Sequence, residues 1–138
     1  MRRISPDVIA PPIGAYSHLT FVPRDRQLVF IAGQVGSDRD GVLAEGAEEQ
    51  TERTLRNIEA LLASIGASPR DLVRLLTFVG GEEHLPGFYA ARNRVYREWF
   101  GDDPVPGHSL AVVAALAAPG IHVEIEGWAA VPAEGPQQ

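Results

Sequence analysis

The chain has 138 residues, a net charge of −6, 45% hydrophobic and 22% charged residues, and no cysteine. This composition suits one globular domain able to bury its own core. It argues against a nucleic-acid surface, which needs a basic stripe, and it removes disulfides, thiolate nucleophiles and cysteine-based zinc sites.

Arg2 and Arg3 are not followed by the apolar run of a signal peptide. No stretch approaches the roughly 18 apolar residues of a membrane span. A cytoplasmic protein with no membrane partner is expected. Residues 19–22 read as a strand, 23–26 as a polar turn and 27–32 as a second strand, which predicts an N-terminal hairpin. Gly33 stops it, and the Ser37-Asp38-Arg39-Asp40-Gly41 stretch has turn chemistry.

Over 46–64, Leu55, Ile58 and Leu62, with Ile65 just beyond, recur three or four apart and predict one apolar helical stripe. Glu45, Glu48 and Glu49 gather at the start, where the helix dipole favours anions. Gly66 is a natural stop. Ser68-Pro69 then reads as a capped one-turn helix start. A strand over 73–79 ends at Gly80-Gly81. A second helix over 85–100 buries Phe88, Arg92, Val95, Tyr96 and Trp99, with Arg92 reaching outward on its aliphatic stem. Strands over 109–115 and 122–130 follow, joined through Ala118-Pro119-Gly120. The order β-β-α-β-α-β-β predicts an α+β layer, with two helices on one face of a mixed sheet. The other face holds apolar residues, so a homo-oligomer that covers it is expected. The domain spans 1–131, and 132–138 has the composition of a disordered tail.

Chemistry-bearing residues are sparse. Alternation puts His122, Glu124 and Glu126 on one face of the last strand, with Val123 and Ile125 on the other. Carboxylates on such a face are solvated, face a neighbouring subunit, or exchange protons in a partly dry cleft. His108 stands at a loop-to-strand junction, where it is either a functional side chain or a satisfied histidine. His18 and His84 carry no such positional hint. Tyr16 follows a backbone stiffened by Pro11, Pro12 and Gly14, and is either aimed at a ligand or an aromatic plug. Gly33 permits close approach of a ligand or marks a bulge. Asn93 is a helical asparagine between two arginines. The histidines and carboxylates lack metal-ligand spacing, so no metal is expected.

Five segments nonetheless occur in a telling order: Ile13-Gly14-Ala15-Tyr16, Ile31-Ala32-Gly33-Gln34, Asn93-Arg94-Val95-Tyr96, Pro106-Gly107-His108-Ser109 and Val123-Glu124-Ile125-Glu126-Gly127. Together they resemble the Rid (YjgF) family of imine and enamine deaminases, over about residues 11–131. The resemblance implies a chorismate-mutase-like α+β fold and a homotrimer with inward-facing sheets. Clefts between subunits would take a small molecule. The implied activity is cofactor-free hydrolysis of reactive 2-imino or 2-enamino acids. It further implies that Tyr16 packs on the substrate, that Gly33 leaves it room and that Asn93 gives polar support. Glu124 would handle protons, and Ser109 with the Leu110 backbone would help hold the attacking water.

His108 departs from the family pattern, which has an arginine there to grip the substrate carboxylate in a bidentate fork. Histidine offers at most two divergent donors and, unperturbed, is partly protonated at pH 7. Glu124 and His108 are then the expected acid–base pair of an enzyme whose substrate is changed, with imines that lack the α-carboxylate among the candidates. Arg92, Arg94 or Arg97 is an optional replacement cation. The alternative is a non-catalytic ligand-binding or regulatory trimer. Ribonuclease and chorismate-mutase-like activities fit poorly with the acidic balance and the scarcity of cations.

Overall fold

Helices α1 (Gly46–Ser64) and α2 (Leu85–Phe100) pack on each other and on one face of a four-stranded sheet in the computed structural model, which describes residues 1–133. The sheet order is β3 (Arg26–Val35), β6 (Val123–Pro132), β4 (Leu72–Val79), β5 (Gly107–Val112). Strand β6 is antiparallel to both neighbours, whereas β4 and β5 run parallel, joined by the α2 crossover. The mixed sheet and single helical layer are those expected. Strand β6 extends to Pro132, so the predicted tail begins at Ala133, and its remainder lies outside the described residues. Among the described residues, no helix is long and apolar enough to cross a membrane.

The predicted N-terminal hairpin does not form. Strand β2 (Leu19–Phe21) instead pairs antiparallel with β1 (Arg2–Ile4), while β3 pairs with β6. Arg3 decides the outcome. Its guanidinium donates to the carbonyls of Pro104, Arg70 and Leu72, and Thr20 Oγ1 donates to Val73 O. These bonds hold the two short strands against the entry to β4.

Leu55, Ile58 and Leu62 are buried as the periodicity predicts, and Val95, Phe88 and Trp99 face them from α2. Gly66 ends α1 with φ of 73°. The Ala67 and Gly66 amides donate to Leu62 O and Ala63 O, closing a Schellman motif. The first half of the α1 stripe is polar: Gln50, Thr51 and Thr54 are all buried. Each threonine hydroxyl donates to the carbonyl four residues back. Gln50 Nε2 donates to Ala44 O and Gly120 O, while its Oε1 accepts from the His122 amide. Gly36 lets β3 reach this helix, since a Cβ there would lie 2.5 Å from Gln50 backbone atoms.

On β6, Val123 and Ile125 are buried beneath the helices, so Glu124 and Glu126 point to the opposite, uncovered face. Leu28, Phe30 and Trp128 share that face and are 53%, 50% and 39% exposed. Large apolar side chains therefore meet water there. The rings of Phe30 and Trp128 lie 5.0 Å apart.

Candidate active site

The edge strand β5 carries the site. Its partner register sets His108 opposite Leu75 and Leu110 opposite Thr77, both on the helix-facing side. Ser109 and Ala111 point the other way. The loop before β2 is fastened here: Ser17 Oγ donates to Val105 O at 2.6 Å, and its amide donates to Pro106 O. That anchor places Tyr16 beside His108.

Tyr16, Tyr89, Arg92, Asn93, His108 and Leu110 line an open cavity of about 650 Å³, together with Ile13, Gly14 and Ala15. A smaller cavity of about 330 Å³ shares Tyr16 and His108 and reaches Ser109 and Arg74. Five of the expected site residues are thus gathered around one strand edge: Tyr16, Asn93, His108, Ser109 and Leu110. Gly33 and Glu124 line neither cavity. They meet each other instead on the uncovered face of the sheet, where a Cβ at Gly33 would come within 2.9 Å of the Glu124 carboxylate. Gly33 therefore makes room first for an acid. His122 does not join that acid either. It precedes β6, and its ring stacks on His84 at 3.9 Å.

His108 is not a cation at neutral pH. Burial, then the nearby Arg92 and Arg74 charges, pulls its pKa down to about 4. Its Nε2 and Thr77 Oγ1 share a hydrogen bond of 2.9 Å, and its ring is stacked on Phe88 at 6.0 Å. The exchange of arginine for histidine thus leaves a neutral ring with one donor and one acceptor.

Arg92 corrects the sequence reading most sharply. It does not reach outward but is 5% exposed and borders the larger cavity. Three aromatic rings hold it there. Its Cζ lies 5.5 Å from the Phe88 centroid, 5.3 Å from Tyr89 and 5.4 Å from Tyr96. All three rings come from the same helix at spacings of three or four residues, so they stack along one face. Nε donates to Asn93 Oδ1 at 2.9 Å. A cation placed within an aromatic stripe was the available signal. Tyr89 was also missed, because half-exposed helical tyrosines are common.

Comparison with known proteins agrees with this geometry. The family model described as Endoribonuclease L-PSP matches residues 8–131. The chain belongs to the Rid (YjgF) family. Among Rid relatives, a RutC family protein of Pyrococcus horikoshii is 31% identical over 117 residues, covering 83% of this chain and 86% of its own. The Rid protein YyfB of Yersinia pestis superposes with a TM-score of 0.78 at 32% identity, covering 94% of this chain and 98% of that one. RidA of an Antarctic Psychrobacter superposes at 0.65 with 28% identity, covering 95% and 100%. In this chain the Rid scaffold carries a cavity under one sheet face and an acid on the other.

Proposed function

We propose that this Rid-family protein hydrolyses a reactive imine or enamine in a cleft completed by a neighbouring subunit of a cytoplasmic homotrimer. One observation carries the reading. The ligand-sized cavity at Tyr16, Asn93, His108 and Leu110 lies under one side of the sheet. Glu124, folded over Gly33, stands on the other side, on the same uncovered face as Leu28, Phe30 and Trp128 further along the strands. A subunit that covers this apolar face brings its own cavity towards the acid.

The chemistry needs little. An imine carbon is already electrophilic, so water adds to it and gives a carbinolamine. Cleavage of the C–N bond then releases ammonia. The water oxygen stays as the carbonyl oxygen and both water hydrogens leave on nitrogen, with no net redox change. Glu124 takes a proton from the attacking water and returns it to the departing nitrogen. Tyr16 and Leu110 wall the substrate, Ser109 and the Leu110 backbone help hold the water, and His108 contributes its neutral donor and acceptor. No cofactor is required. An RNA substrate fits less well, since a chain of net charge −6 has little with which to displace phosphate counterions.

The test is ammonia release from freshly generated imino acids and neutral imines. The wild type is expected to accelerate release for at least one of them, and Glu124→Gln to lose about a hundredfold or more of that rate. Background rates for every substrate would overturn the reading.

A further inference from the structure

We infer that Arg92 has taken over the anion-binding duty that position 108 lacks, so the site accepts substrates with an α-carboxylate and grips them from helix α2 rather than from strand β5. The inference rests on the hydrolytic cleft proposed above for its chemistry, but not for its physics. A guanidinium has five N–H donors, all in its plane. Arg92 spends Nε on Asn93. Among the described residues its two terminal nitrogens have no hydrogen-bond partner, and no carboxylate stands within ion-pair distance.

The three aromatic rings attract the charge through their faces, but they accept no hydrogen bond of ordinary strength. The two terminal nitrogens keep contact with solvent in the cavity, while the rest of the side chain is desolvated and has no counter-ion among the described residues. Burial accordingly lowers the Arg92 pKa from its usual value, and only Tyr89 and Tyr96 oppose that shift. The terminal donors face the cavity shared with Tyr16, Asn93 and His108. A bidentate carboxylate satisfies both and neutralises the charge.

Arg74 is a weaker candidate. It borders the smaller cavity and is only half-buried, so it loses less hydration than Arg92 and gains less from an anion. His108 fits the Arg92 assignment too. Its ring and the Arg92 guanidinium both pack on Phe88, so a second permanent cation at 108 would face the first across one ring. Histidine at 108 is then the partner of arginine at 92, and the carboxylate-free substrates suggested by the sequence are not required.

Two measurements test this. The first uses wild-type protein and no catalysis. The Arg92 Nε–Hε resonance, assigned through its bonded carbons, is followed by NMR during titration with 2-oxobutanoate and, separately, with its neutral amide. A saturable shift with the acid alone is expected, and equal responses to both, or none, would overturn the inference.

The second compares kcat/KM for a 2-imino acid and the matching neutral imino amide. Arg92→Met is expected to lose about tenfold to a hundredfold on the acid and little on the amide. Adding His108→Arg to that variant should recover part of the loss, whereas His108→Arg alone should not improve the wild type. An Arg92→Met variant that folds and handles the acid as well as wild type overturns the inference. If the variant does not fold, the resonance titration decides. Absence of all ammonia release sinks the hydrolase reading, while the titration still judges the carboxylate grip.

Discussion

Between pH 6.5 and about 4 the unfolded chain protonates His108 and the folded chain does not. More protons are then bound by the unfolded state, so stability rises with pH across this window and is lost as pH falls through it. Above 6.5 both states are neutral at this residue, and the contribution is fully present. At about 1.4 kcal/mol per pH unit, the loss is at most about 3.5 kcal/mol. Thermal melting of wild type and His108→Gln from pH 7 to 4 checks it. Glutamine keeps a partner for Thr77 but does not titrate, so the variant should lose less stability on acidification. Parallel melting curves would show that the ring is solvated rather than buried.

At the scale of elements, both helices were legible because each has a punctuated end and a periodic face. Gly66 ends α1, and Leu55, Ile58 and Leu62 mark its stripe. The alternation of Val123, Glu124, Ile125 and Glu126 likewise gave the two faces of β6. The β2–β3 hairpin failed because local turn chemistry at 23–26 says nothing about the carbonyls that Arg3 ties from 67 to 101 residues away. Gln50 was invisible for the same reason: a polar residue within a helix shows its worth only through distant backbone partners. It joins the start of α1 to the loop that follows β3 and the loop that precedes β6. Gln50→Leu removes two donors and one acceptor from a buried position, and a loss of about 2–3 kcal/mol is expected. Urea unfolding with an unchanged m-value would register it.

At the scale of the whole molecule, the family was legible from five short segments, but the site was not fully so. Tyr16, Asn93, Ser109 and Leu110 do gather around His108. Glu124 does not, because residues on opposite faces of one sheet cannot meet within one chain. On the proposed reading, the same arrangement makes assembly a condition of activity. Trp128→Glu places a charge among Leu28 and Phe30 on the uncovered face. It is expected to yield monomers by size-exclusion chromatography with light scattering. The helical core stays intact, since Trp128 is not part of it. A Trp128→Glu variant as oligomeric as the wild type would show that this face does not hold the proposed trimer together.

Glu124 and the Arg92–His108 cavity lie back to back across a single layer of β-strands. In the proposed trimer each chain therefore lends its acid to one junction and its cation to another. Two crippled versions, Glu124→Gln and Arg92→Met, should accordingly rescue one another when dissociated and annealed in equal amounts. Random regrouping leaves about a quarter of the junctions with both groups sound, and turnover should return in that proportion. Were both groups drawn from the same polypeptide, blending the two would restore nothing.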